Sequence, residues 1–359
     1  MLLFPAADYS VKDVAVGIRK GLTDAGVDVV DYPLAGRLAL AARALSRDKD
    51  DAPIKPDMVN IQLLACEALP FQAAMHGVDW VLGIHGVGIH QAALVALRRI
   101  GVKIAWWFTE APYESSEDRE LHLARHVDVA FVNERSSVAL FQKQLDEHRP
   151  GAVAHYLRHA YDPATHYPRD AEDLKDEERC DVLFIGTGFT ERQHLFECVD
   201  WSGINLHLGG AWLGVEPNYR LAEYLKYSIV QNAETARLYS GAKIVVNCHR
   251  DGGAAAESAN PRVWEAAACG AFQISDRRQE IADVLGDAVP FYAAGVPWRF
   301  ITTIRRWLAD DAGRTRLAAL ARERVQGETF LNRARTIVDA LSDFESSRRG
   351  SRQQLAEVT

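Results

Sequence analysis

Short, continuous apolar runs recur along this sequence, each followed by a turn and a stretch of helical length. In the first half the runs are 78–84 (VDWVLGI), 102–108 (VKIAWWF) and 127–132 (VDVAFV), and 91–99 spaces its apolar residues as a helix. Upstream, 14–25 has helical spacing, Gly26 stands where a helix stop belongs, and 27–30 reads as a short strand. Strands buried on both faces are apolar throughout, and parallel strands need helical crossovers. The pattern therefore predicts βαβ units on a parallel sheet.

A second series follows, with strands expected at 180–186 (CDVLFIG), 206–208, 242–248 (AKIVVNC) and 271–275 (AFQIS). Between the two series lies a polar stretch with two prolines and no apolar period, 161–179. The 359 residues then divide as an N-terminal domain at 1–165, a linker at 166–179, a second domain at 180–330, a C-terminal helix at 331–345 and an unstructured tail at 346–359. Amphipathic helices are expected at 305–323 and 331–344.

With 48% apolar and 25% charged residues the chain has the composition of two globular cores. A formal charge of −8 argues against a nucleic-acid or membrane-surface binder driven by bulk charge, while leaving room for a local basic groove. Five widely spaced cysteines without a C-x-x-C indicate neither a disulfide framework nor a zinc knuckle. Neither a signal peptide nor a membrane-length apolar run is recognisable, so a reduced cytoplasmic protein is expected.

The most informative stretch is 251–276 (DGGAAAESANPRVWEAAACGAFQISD). A strand runs into a Gly/Ala-rich loop, Asn260 can cap a helix with Pro261 at its first position, and Gly270 stops it. Small residues let a ligand approach the backbone, and the helix start favours an anion such as a diphosphate. Arg262 would add a cation there. Glu265, three residues on, lies on the same face, where its carboxylate can accept two ribose hydroxyls. Glu257 precedes Glu265 by eight positions.

Glu257 followed by Glu265-Ala-Ala-Ala-Cys-Gly270 resembles the signature of group 1 glycosyltransferases of the two-Rossmann GT-B architecture. Asn260-Pro-Arg-Val-Trp-Glu265, then Gly270-Ala-Phe and Asp276, is similar to the spore-maturation (CgeB-like) branch. The likeness extends to Phe184-Ile-Gly-Thr187, to Tyr239-x-x-Ala-Lys-Ile-Val-Val-Asn247 and to Leu157-x-x-x-Tyr-Asp162. It implies an α/β fold of two Rossmann-like, doubly wound parallel-sheet domains facing a cleft, with the C-terminal helix crossing back to the first domain. It also implies that Glu265 binds the donor ribose, that Glu257 lies beside the donor sugar, and that Asn260, Pro261 and Arg262 lie near the diphosphate.

Gly186-Thr187-Gly188 follows the first strand of the second domain, and Thr190 with Gln193 can form a capping box on the next helix. The two glycines allow a close turn for the donor, and the resemblance implies that Arg192 neutralises the leaving diphosphate. Lys243 reads as a strand-end lysine.

In the first half, Trp106-Trp-Phe-Thr-Glu110-Ala-Pro-Tyr113-Glu114 ends a strand, and ligands lie at the carboxyl ends of parallel strands. Glu110, where the related branch carries Asp, can orient the acceptor hydroxyl or the donor sugar. Trp107 or Tyr113 can stack on a sugar ring. His85 ends the preceding strand and is a candidate active-site histidine. The pairs His85/His90 and His122/His126 lack a third ligand, so no metal is expected. Residues 7–10 are a candidate acceptor loop.

These readings predict a glycosyltransferase that moves a sugar from a nucleotide-diphosphate sugar, metal-independent and, by resemblance, retaining. No permanently bound cofactor is expected, only the donor as substrate. The acceptor is left open among a glycan, a protein and a modified DNA base, the acidic balance counting against the last. A nucleotide-sugar epimerase or hydrolase and a two-lobed binding protein are the alternatives.

Overall fold

A computed structural model of the chain describes residues 1–5, 12–48, 50–86, 88–110, 112, 119–212, 219–228, 230–250 and 256–358. Two compact units emerge: Met1–Arg158 together with Phe330–Thr359, and His159–Thr329.

The first unit holds six parallel strands, β1 (Leu2–Pro5), β2 (Val29–Tyr32), β3 (Trp80–Ile84), β4 (Lys103–Phe108), β5 (Val129–Val132) and β6 (Val153–Tyr156), in the order β2-β1-β3-β4-β5-β6. Ala105, Trp107, Phe108 and every residue of β5 are fully buried, as unbroken apolar runs require. The apolar start of the chain, too short to stand out in the sequence, is the interior strand β1.

The second unit holds β7 (Cys180–Ile185), β8 (Leu206–Gly209), β9 (Leu225–Tyr227), β10 (Ala242–Asn247), β11 (Gln273–Asp276) and β12 (Phe291–Tyr292), in the order β12-β11-β10-β7-β8-β9 and again all parallel. Each sheet is doubly wound. The order reverses between β1 and β3 in the first unit and between β7 and β10 in the second. Ligands of open α/β sheets bind beyond the carboxyl ends of the strands at such switch points.

Three segments differ from their sequence reading. The division falls at 158/159, and 166–179 is not a linker but part of the second unit. Two short turns, Ala171–Asp173 and Asp176–Glu178, shape it, and Glu178 is clamped by Arg237 at 2.6 Å. The expected helix over 305–323 is two helices, Pro297–Leu308 and Asp311–Arg324, because Asp310 caps the second by accepting from the Gly313 N–H at 2.8 Å. The tail at 346–359 is corrected too: the last helix runs Phe330–Val358. Its buried face, Phe330, Ala334, Ile337, Leu341 and Phe344, repeats every three or four residues. Beyond that face the helix continues as an extension of turns already nucleated. Among the described residues no helix is long and apolar enough to cross a membrane.

Candidate functional site

At the switch point of the second unit, β7 and β10 are neighbours, paired Ile244 to Val182 and Val245 to Leu183. From β7 the chain turns through Gly186 into the helix Thr190–Glu197, and β10 leads through the 248–260 connection into the helix Pro261–Ala268. The first turns of both helices carry an arginine to this point.

Those two arginines share an aromatic platform. The Phe184 ring has the Arg262 guanidinium carbon 4.8 Å and that of Arg192 5.4 Å from its centroid, while Phe189 holds Arg192 at 4.9 Å and Arg250 at 5.0 Å. Arg192 is 6% exposed and donates from Nη1 to the Thr187 carbonyl at 2.8 Å. Burial, and then the charge of Arg262, push its pKa down to about 10. Nε of Arg192 and both Nε and Nη1 of Arg262 are buried with no acceptor among the described residues. Like charges held together with donors unused can bind a multiply charged oxyanion.

The turn between them works differently from its sequence reading. Gly186 N–H donates to Gly209 O and Gly188 N–H to Ala211 O, both at 2.9 Å, so neither amide is open to a phosphate. The glycines act sterically. A Cβ at Gly186 would sit 2.3 Å from Arg262 Nη2, and one at Gly188 2.5 Å from the Trp212 ring. The expected capping box does not form either. Phe189 occupies the N-cap position, held among arginines, and Gln193 donates instead to Gly188 O at 2.7 Å.

Asn260 stands at the N-cap of the next helix with Pro261 in its first turn, yet makes no side-chain cap bond, and both its amide atoms are buried without a partner among the described residues. What fixes this helix start is His249, which the motif reading missed. Its Nε2 accepts from Asn260 N–H at 3.1 Å, so the proton sits on Nδ1, which donates to Asp276 Oδ1 at 2.7 Å. Asp276 also accepts from the His249 N–H at 3.0 Å and pairs with Arg278 at 3.3 Å. Arg278 in turn donates to the carbonyls of Arg250 and Ala256, tying down both sides of the connection. Burial first of all pushes the His249 pKa down, keeping the ring neutral, while His249 and Arg278 outweigh burial at Asp276 and hold its carboxyl far below the ordinary range. The only sequence signal was a histidine two positions after a strand.

Glu265 lies one turn along from Arg262. Tyr239 Oη donates to its Oε2 at 3.4 Å, and the wholly buried His166 ring places Nε2 4.0 Å from Oε1. Burial, then the Glu265 charge, raise the Tyr239 pKa, so the phenol stays a donor. Glu257 is half-buried, and its carbonyl accepts from Glu280 N–H at 3.1 Å. Lys243 pairs with Asp181 at 2.8 Å.

In the first unit the structure joins two residues that the sequence offered separately. His85, beyond β3, has Nε2 3.9 Å from Glu110 Oε1, beyond β4. Its Nδ1 lies 3.3 Å from Thr109 Oγ1 and 4.0 Å from Oε1 of the buried Glu120, which no motif had signalled. His85 is 5% exposed and has φ +69°, rare for a residue with a Cβ. Trp107 cannot stack on a sugar: it is fully buried, with Nε1 donating to Leu157 O at 3.2 Å. Tyr113, the 7–10 loop and the 251–255 part of the Gly/Ala-rich loop lie outside the described residues. Among the described residues no group of three His, Cys, Asp or Glu is placed to hold a metal ion.

Known structures share this double-sheet layout over nearly the whole chain. A sucrose-phosphate synthase from Thermosynechococcus elongatus superposes with a TM-score of 0.68 at 13% identity, covering 96% of this chain and 99% of its own. The chain has the GT-B fold. Also similar to this GT-B chain are Anabaena HepE, solved in complex with UDP-glucose (TM-score 0.65, 12% identity, 95% and 99% covered), and an α,α-trehalose 6-phosphate synthase from Burkholderia multivorans (0.62, 13%, 98% and 99%). Residues 191–339 match the profile of a family described as glycosyl transferase-like. No curated protein matches the GT-B chain.

Proposed function

We propose that the protein is a glycosyltransferase of the hexosyl-transferring kind, using a nucleotide-diphosphate sugar as donor. One observation carries the reading most: the Arg192 and Arg262 guanidiniums on the Phe184 ring, with donors that meet no acceptor among the described residues, at the switch point of the second unit. The glycosyl transferase-like match over 191–339 and the UDP-glucose held by Anabaena HepE support it. The motif Asn260-Pro-Arg-Val-Trp-Glu265 supports a place in the spore-maturation-like branch.

In this mechanism Arg192, Arg262 and the amino end of the Pro261–Ala268 helix take up the negative charge that grows on the diphosphate as the glycosidic bond breaks. Glu265 accepts the ribose hydroxyls and Glu257 fixes the donor sugar, so binding energy remote from the reacting carbon sets its position. His85 and Glu110 serve the acceptor hydroxyl. Retention of configuration follows from the resemblance. Protein cations do the work of a metal.

Incubation with a panel of UDP-, GDP- and other nucleotide-sugars tests the reading: slow hydrolysis or transfer, lost on Glu265→Ala, is the expected result. Donor binding without turnover of any sugar would return the protein to the binding-module class. The His85–Glu110 pair at 3.9 Å favours a second reading, a hydrolase or epimerase with acid–base chemistry on the sugar. Water-derived product formed at the same rate with and without acceptors would select it.

A further inference from the structure

The amino-terminal ends of β4, β5 and β6 lie at the edge of the first sheet away from His85, and a cavity of about 650 Å³ opens there. Its walls come from the helix Gln91–Arg99, from the starts of β4 and β5, from Arg149 at the end of the helix Val138–His148 and from the last helix, and every lining residue belongs to the first unit. In a chain with a net charge of −8 this cavity is cationic: six basic side chains line it against two acids.

The two acids are already engaged. Asp128 accepts from Ile104 N–H at 2.9 Å and pairs with Arg149, with Arg348 4.0 Å away. Glu345 pairs with Lys103, accepts from Trp80 Nε1 at 2.8 Å and lies 3.4 Å from Arg349. Among the described residues no carboxylate comes within 4.0 Å of Arg98 or Arg99. Arg149 keeps a buried Nε with no acceptor. Burial, and then Arg149, push the Arg98 pKa down, and the same arginines help to push down nearby His126 after burial. A helix carboxyl end accounts for basic residues in its own last turn, such as Arg98 and Arg99. Arg149, at the carboxyl end of the helix Val138–His148, has the same account, but helix ends do not account for Lys103, Arg348 and Arg349, brought to the same recess by a strand start and the last helix.

We propose that this cavity is a second anion site, built for a ligand carrying a diphosphate or a phosphomonoester of two negative charges. Arg98 and Arg99, with no carboxylate within 4.0 Å among the described residues, supply the charge for the ligand beside Arg149, Arg348 and Arg349. The site shares no residue with the arginines on Phe184. It lies at the opposite strand ends from His85, so its ligand is neither the sugar donor nor the acceptor hydroxyl but a separate anion.

Titration calorimetry with inorganic pyrophosphate tests the proposal, using the full chain and two variants. Arg262→Gln, which weakens the second-unit site, should retain a pyrophosphate-binding event. Adding R98Q/R99Q to it should weaken that event about tenfold or more, the loss expected for two charge-assisted contacts. R98Q/R99Q alone should leave UDP affinity and melting temperature unchanged, which separates a lost site from a lost fold. Pyrophosphate binding without retention on phosphatidic acid vesicles identifies a free ligand; retention on vesicles that R98Q/R99Q abolishes identifies a lipid headgroup of the same chemistry. The proposal is overturned if Arg262→Gln binds neither probe, or if R98Q/R99Q leaves the binding of both unchanged.

Discussion

Arg262 lies against the backbone of Gly186, so close that a Cβ on the glycine would stand 2.3 Å from its Nη2. The loop residue is small because the arginine fills the space. Gly186→Ala, at φ +159° and with the Phe184 ring 3.2 Å from the new Cβ as well, should lose some stability and displace the guanidinium. The expected outcome is a folded variant with a modestly lowered melting temperature and UDP affinity weakened about tenfold, the cost of about one charge-assisted contact. Tight UDP binding by the alanine variant would separate Arg262 from the diphosphate.

Arg192 tests function against stability. It is a buried cation opposed by a neighbouring one, an arrangement that apolar replacement often leaves no less stable. Arg192→Met should keep its melting temperature within about 2 °C of the parent, whereas turnover falls by about 10². A large loss of stability with activity intact would mean that Arg192 serves the fold.

For Glu265, removal and misorientation should read differently. Glu265→Ala should abolish donor binding, while Tyr239→Phe, losing a single 3.4 Å contact to the carboxylate, should raise the donor KM by a few-fold at most with kcat retained. Equal effects of the two changes would show that the phenol, not the carboxylate, contacts the donor.

The histidines predict a pH dependence. His126, His155, His207 and His249 all have pKa values lowered chiefly by burial. Unfolded imidazoles take up protons below about pH 6.5, and the folded ones resist until lower pH. The unfolded state then binds more protons, so stability is full above that point and falls as pH drops towards the folded values. Asp276 does not offset this, because its lowered pKa matters only in more acidic solution. Melting temperature should fall between about pH 7.5 and 5.5, and less steeply in His249→Gln. A flat profile would contradict the burial of these rings as neutral groups.

His85 combines a rare backbone conformation with contacts to two acids. Asparagine tolerates positive φ and keeps a polar group there. His85→Asn should fold with a near-parental melting temperature and lose transfer, measured as sugar released from the donor.

The interior strands β3, β4, β5, β7 and β10 were legible because burial on both faces leaves an unbroken apolar run, and Arg262 and Glu265 were legible because their spacing survives in a linear motif. β1 was not, since four apolar residues at a chain start carry no period. Nor was the His249–Asp276–Arg278 network, whose members are brought together by β10 and β11 pairing side by side. Glu120 needed the fold to bring it to His85. Asn260 misled: its type and position announced a cap, but His249 had already taken the backbone N–H of that residue.

The return of the last helix to the first unit sets an order of assembly. Its opening residue, Phe330, fills space left by Gly17 and Gly21 on the helix Lys12–Asp24, where a Cβ would meet it at 2.3 and 2.6 Å. During synthesis the stretch His159–Thr329 holds everything its own sheet needs, whereas Met1–Arg158 emerges with that groove open and apolar. The part of the chain made first is the part that closes last, and until residue 330 leaves the ribosome its exposed seam is what a chaperone would meet.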